Sequence, residues 1–169
     1  GGYGTVFVDN IVRMGNILNG TKYAMNPEKL TLFSNFIRNT YFNVFRSRYL
    51  DFSVTGRGVS RKRNIDYGDC AALFRNLQAL DAKHAGEYAD IARRFLTQEA
   101  SYQRSDKNTM YHCSDYMHTT DKNYDFSVRT SSTRTNKTES GNGEIYTGTY
   151  MSDGATNIRV NGNEYADIF

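Results

Sequence analysis

At 169 residues the chain has room for one ordinary domain or two incomplete ones. Hydrophobic residues make up 38% and aromatics 14%, with thirteen Tyr, ten Phe and no Trp, so a core here is built largely from rings whose hydroxyls need partners. No apolar run approaches the roughly 20 residues of a membrane-spanning helix, and the net charge of +3 is too small to mark the whole chain as a polyanion binder.

In chain order, helices come first. From Thr5 to about Leu18 the apolar positions Phe7, Val8, Ile11, Val12, Met14 and Leu18 recur at three and four, which predicts an amphipathic helix. Asn26-Pro27-Glu28 supplies an N-cap, a proline at the first helical position and an acid in the first turn. Leu30, Phe33, Ile37, Tyr41 and Val44 then continue one face of that second helix. Two more helices are expected, from about Tyr67 to Leu80 and from about Gly86 to Leu96, the latter carrying Tyr88, Ile91, Ala92 and Phe95 at helical spacing.

After Thr97 the period changes. Residues 124 to 130 alternate, and β-branched and aromatic side chains recur from Glu144 to Tyr150 and from Thr156 to Val160, separated by turn signals at Ser152-Asp153-Gly154 and Asn161-Gly162. These are expected strands of an antiparallel sheet. Helices followed by strands, without alternation, predict an α+β chain or two consecutive domains. The polar, aperiodic stretch from Gln98 to Asn108 is the expected boundary. Thr130 to Ser140, rich in Ser, Thr and Asn, reads as a long hairpin loop.

Charge is concentrated in one place. Between Arg46 and Arg63 the chain gathers six of its twenty-one cationic side chains against the single acid Asp51, two of them in Gly56-Arg57-Gly58-Val59-Ser60-Arg61. Fixed guanidinium groups recognise carboxylate, sulfate or phosphate in planar geometry, and a focused patch steers an anionic ligand. The plain alternative is a solvated basic loop. Cys70 and Cys113 lie far apart with no metal-ligand spacing, which argues against a disulfide scaffold and a zinc site. A chain that opens on Gly1-Gly2-Tyr3-Gly4 and stops at Asp167-Ile168-Phe169 reads as a piece of something longer.

Three segments resemble polysaccharide lyase family eight, which contains the chondroitin AC, hyaluronate and xanthan lyases. Tyr3-Gly4-Thr5-Val6-Phe7 is similar to the family's Tyr-Gly-x-Val-Phe segment, and Gly56-Arg57-Gly58-Val59-Ser60-Arg61 to its Gly-Arg-x-x-Ser-Arg segment. Glu139-Ser140-Gly141-Asn142-Gly143-Glu144, with Tyr150-Met151-Ser152-Asp153-Gly154-Ala155-Thr156-Asn157, resembles the first-strand region of its β-domain. The resemblance implies the last helices of an (α/α) toroid over residues 1–100. The first strands of an antiparallel β-sandwich domain follow over residues 101–169.

It also implies a reaction, the β-elimination of an acidic polysaccharide at a uronic acid. The enzyme must remove a weakly acidic C5 proton beside a carboxylate, stabilise the enolate-like charge and protonate the leaving oxygen at C4. A free phenol with a pKa near 10 is about 0.1% ionised at neutral pH, so a tyrosine base needs neighbouring cations. By the resemblance Tyr3 is the catalytic tyrosine, and Arg57 and Arg61 poise it and hold the sugar. Asn142 and Glu139 match substrate-binding β-domain positions that close over the cleft, Glu139 as a group that orients an arginine or histidine. A histidine and an asparagine that the family places before the tyrosine fall upstream of Gly1. His84, His112 and His118 do not match that histidine and read as structural. Ile145 stands where the family often has a second asparagine.

No organic cofactor is required by this route, and no carboxylate cluster reads as a calcium loop, so any metal would be structural. The implied partner is an acidic polysaccharide, with no nucleic acid and no membrane, and the implied location is secreted or periplasmic. The full-length form is taken as a monomer. Other classes use the same residues. A non-catalytic binding module for sulfated or acidic glycans would use Arg57, Arg61 and surface tyrosines. Nucleic-acid binding would draw on the same basic segment, although no recognition helix or aromatic RNA-binding motif accompanies it. For Tyr3 the plain reading is a buried helix aromatic, and for Asn142 a turn residue.

Overall fold

In the computed structural model, which describes residues 2–100 and 106–167, the chain divides into two compact units, Gly1–Asn43 with Tyr67–Gln98 and Val44–Asp66 with Glu99–Phe169. One break, between Gln98 and Glu99, falls at the start of the expected boundary, but residues 44–66, which sequence order places among the helices, belong with the strands. Residues 101–105, inside that boundary, lie outside the described residues.

The first unit is helical. Helix α1 spans Gly2–Leu18 and buries Val8, Val12 and Gly15. Gly15 is there because a Cβ would lie 2.9 Å from both Leu80 methyls, so the glycine lets α1 approach α3 (Ala71–Leu80) closely. Helix α2 (Pro27–Phe36) starts as expected, with the Asn26 side chain accepting the Lys29 N–H at 2.8 Å.

It does not run unbroken to Val44. A π-helical turn, Ile37–Tyr41, follows, and then a 3-10 turn, Phe42–Val44. The wider turn inserts an extra residue and rotates the face, so that Ile37 and Phe42 are both buried while Tyr41 stands at the margin. Phe42 thereby meets Phe74 edge-on at 5.8 Å, and Phe74 meets Phe95 of α4 (Ala85–Thr97) at 5.0 Å. Beside this aromatic core the Asp81 carboxylate accepts from Tyr88 Oη and pairs with His84 Nδ1, both at 2.9 Å, while Ser34 bonds to both partners. His84 is thus held as a structural group.

The second unit centres on a four-stranded antiparallel meander, β3 (Lys107–Tyr111), β4 (Tyr116–Thr120), β5 (Asp125–Arg129) and β6 (Ala155–Arg159), in sequential order. The register pairs Met110 with Met117, His118 with Ser127, and Ser127 with Asn157. Two of the expected strands are present as β5 and β6. Glu144 to Tyr150 is not a strand but a run of turns within the 130–154 connection, interrupted by Gly148 and bent at Ile145. The segment likened to a first strand therefore belongs mostly to the long β5–β6 connection and to β6. Lys107–Tyr111 opens the sheet among the described residues.

The buried face of this sheet is polar. Tyr116, His118, Thr120, Asp125, Ser127, Asn157 and Arg159 point inward, while Met110 and Ile158 are exposed. Residues 44–66 satisfy that face, entering as a short hairpin of β1 (Phe45–Arg46) and β2 (Tyr49–Leu50). Asp51, fully buried, accepts Tyr116 Oη at 2.8 Å, Asn157 Nδ2 at 2.7 Å and the Ser53 N–H at 2.8 Å, and also the Ser127 hydroxyl. Arg159 forms a bidentate pair with Asp125 (2.9 and 2.6 Å) and donates to the carbonyls of Tyr49 and Val44. Arg46 donates to the carbonyls of Val160, Asp121 and Lys122. Buried charge is tolerated only when it is paired and hydrogen-bonded, and here the partners are drawn from strands, turns and connections far apart in the sequence. His118 sits in the same layer, 3.3 Å from Asp125. Cys70 and Cys113 are both free thiols.

Candidate functional site

The hairpin and Asp51 deliver two short 3-10 segments, Phe52–Val54 and Gly56–Ser60, to the surface of the second unit. Asp51 caps the first of these through the Ser53 N–H. Arg129 anchors it through the Ser53 carbonyl. The second carries Arg57, and Arg61 follows it directly. Opposite them stands the 130–154 connection. Its start is tied down by Asp115, whose carboxylate accepts Ser132 Oγ, Thr135 Oγ1 and Arg134 Nη2, each at 2.6 Å.

Four charged side chains then meet. Arg57 Nη1 donates to Glu139 Oε1, and the Arg57 backbone N–H donates to Glu139 Oε2 at 3.3 Å. Arg61 binds Glu144 through Nε at 2.6 Å and Nη2 at 3.0 Å. Arg57 Nε lies in ion-pair contact with Glu144 Oε2 at 3.2 Å. Hydrogen bonds and charge from Arg61, with help from Arg57, hold the Glu144 carboxyl below the usual carboxylate range. Gly56 is required by this geometry: its φ is +63°, and a Cβ there would fall on Glu139 Oε2.

The turn that presents Glu144 has its own local cause. Gly141 and Glu144 bridge in both directions (N to O 3.3 and 2.9 Å), and Asn142 and Gly143 between them have φ values of +54° and +80°. Positive φ at both central residues marks the Asn-Gly turn that best matches strand twist. Ile145, next in line, is also left-handed at φ +56°.

The sequence-derived site residues thus fall out as follows. Arg57, Arg61 and Glu139 are brought together in one cluster, and Asn142 sits on the turn beside them. Tyr3 belongs to the first unit, on the opening turn of α1, and is 80% exposed rather than buried. Glu144 is the residue that sequence inspection passed over. Its spacing from Asn142 was visible, but its main partner, Arg61, lies 83 positions away.

The expectation of a focused positive patch is met only in part: Lys62 and Arg63 are exposed, but the other four cations of the segment are engaged. Arg46 is buried on carbonyls, Arg48 pairs with Asp66 at 2.6 Å, and Arg57 and Arg61 face Glu139 and Glu144. Burial and distant acids disperse an excess that is contiguous only along the chain.

The family models settle the kinship. Residues 1–99 match the N-terminal α-helical domain of polysaccharide lyase family 8, and residues 106–169 match its super-sandwich domain. The chain belongs to polysaccharide lyase family 8. Among curated relatives of this family-8 chain, Chondroitinase-AC of Pedobacter heparinus is 39% identical over 167 residues, which is 98% of this chain and 24% of that protein. A chondroitinase AC lyase solved as enzyme–oligosaccharide complexes superposes with a TM-score of 0.93 at 38% identity, covering 98% of this chain and 25% of that one. Paenibacillus xanthan lyase (TM-score 0.74, 18% identity, 99% of this chain and 19% of that one) shares the fold. So does the Streptomyces coelicolor chondroitin AC lyase in complex with chondroitin sulphate (0.76, 17%, 100% and 29%). The chain therefore spans about a quarter of the length of the chondroitinase it matches. Its α+β order, helices and then antiparallel strands, is that of the matched chondroitinase segment. Among the described residues no helix is long and apolar enough to cross a membrane, and no three His, Cys, Asp or Glu side chains group to hold a metal ion.

Proposed function

We propose that this chain is a segment of a lyase that cleaves an acidic, uronic-acid-containing polysaccharide such as chondroitin or hyaluronan by β-elimination. In this reading residues 1–100 end an (α/α) toroid and residues 101–169 begin a β-sandwich domain. Tyr3 removes the C5 proton and returns a proton to the leaving C4 oxygen. Arg57 and Arg61 hold the anionic sugar and favour the phenolate. Glu139 orients Arg57, and Asn142 contacts substrate from its turn.

The observation that supports this most is the pair of guanidinium groups immobilised by Glu139 and Glu144, in a family-8 chain 39% identical to a chondroitinase AC. Donors fixed in advance stabilise charge that develops during reaction, because they need not reorganise when it appears. The Tyr3 ring, exposed on the first turn of α1, is open to a ligand. The route uses no organic cofactor. A secreted or periplasmic, monomeric full-length protein acting on polysaccharide, not on nucleic acid, belongs to the same proposal.

The test is Tyr3→Phe in the full-length protein, followed by the ultraviolet absorbance of the 4,5-unsaturated product. Loss of a general acid–base group is expected to lower kcat by about 10²–10⁴-fold with little change in oligosaccharide binding. A fully active Tyr3→Phe enzyme rejects the assignment.

A further inference from the structure

Arg57, near the start of one short 3-10 segment, and Arg61, just past its end, stand four positions apart, and a single carboxylate spans both. Glu144 Oε1 takes Arg61 Nε, Oε2 takes Arg61 Nη2, and the same Oε2 lies 3.2 Å from Arg57 Nε. Glu139 serves Arg57 from the other side. The Glu144 side chain is also the more enclosed of the two acids, 19% exposed against 51%. A guanidinium on a flexible stem can rotate its plane freely, whereas a two-point fork with a carboxylate fixes that plane. One carboxylate that engages two guanidinium groups fixes them relative to each other.

We propose that Glu144 is a positioning residue for the elimination reaction, a brace that sets the mutual orientation of the Arg57 and Arg61 guanidinium planes. The inference rests on the function proposed above and deepens it. The Asn142-Gly143 turn is what aims the brace: the two-way Gly141–Glu144 bridge fixes the direction in which Glu144 leaves the loop. Charge accounting agrees with a geometric role. With both glutamates ionised the four side chains carry no net charge, so the arginines are ordered by their partners rather than concentrated as surplus positive charge. A sugar carboxylate then meets donors whose directions are already set.

The experiment compares Glu144→Gln and Glu144→Ala in the full-length protein, each alone and in an Arg61→Ala background, with kcat and KM measured on chondroitin and melting temperature followed in parallel. Misaligned donors are expected to lower kcat by about tenfold or more, with a smaller change in KM. Glu144→Gln, nearly the same shape, should leave the melting temperature almost unmoved. In the Arg61→Ala background the same substitution should cost less than about twofold, because its main partner is already gone.

A Glu144→Gln enzyme with parental kcat overturns the proposal, and so does a loss equally large in both backgrounds. If Glu144→Ala fails to fold, the near-isosteric Gln variant still decides. Tyr3→Phe, measured alongside, separates the two readings: an active Tyr3→Phe enzyme removes the tyrosine base, while the coupling between Glu144 and Arg61 is judged on its own cycle.

Discussion

Ile145 shows how one residue can carry strain beside a candidate site. Its φ of +56° lies where a β-branched side chain crowds its own backbone, at a cost of about 1–2 kcal/mol. Asparagine tolerates this conformation, and asparagine is what the family resemblance leads one to expect there. Ile145→Asn should therefore stabilise the second unit by about 1 kcal/mol, read as a raised midpoint in urea with an unchanged slope. A lowered midpoint would mean that contacts of the half-buried isoleucine outweigh the backbone strain. The same scale explains why Arg57 and Arg61 were legible and Glu144 was not. Two arginines four positions apart, one of them between glycines, form a compact local motif, whereas the acids that partner them are 82 and 83 positions away, and no local pattern encodes such a pairing.

Among elements, the 130–154 connection is the one whose order matters most to the cluster, and Asp115 is its anchor. Hydrogen bonds from Ser132 and Thr135, with Arg134 beside them, bring the Asp115 carboxyl down to about 2. A depressed folded pKa means that this stabilisation is fully present above the unfolded value near 3.9 and is lost as pH falls through about 2. Protection factors of the amides of residues 130–135, taken against the intrinsic exchange rate at each pH, should fall between about pH 4 and pH 2. An Asp115→Asn variant should show the faster exchange already at neutral pH, and unchanged protection in that variant would refute the anchor. The helices and the last two strands were readable because each has a clear apolar period. β3 and β4 were not: β4 buries Tyr116, His118 and Thr120 rather than aliphatic residues, and β3 has no fully buried residue to mark a face. The π-turn at Ile37–Tyr41 escaped for a related reason: it keeps helical composition while shifting the face that packs.

For the molecule as a whole, the decisive fact is that the chain spans about a quarter of the chondroitinase it matches. Because the chain covers only that share, the proposed elimination is expected of the full-length protein, and the 169-residue chain alone is expected to release little or no unsaturated product from chondroitin, hyaluronan or xanthan. Vigorous turnover by the isolated chain would overturn that. Composition, apolar period and three short motifs were enough to establish helices before strands, the family, and most members of the candidate cluster, because each is recorded in neighbours along the chain. Tertiary structure alone decided that residues 44–66 pack with the strands, that a charged layer replaces an oily one beneath the sheet, and that four of the six cations of the basic segment are buried or paired. Those outcomes depend on Asp51, Arg159, Glu139 and Glu144 finding partners far away in sequence, and burial makes such pairing obligatory for Asp51 and Arg159 without naming the partner in advance.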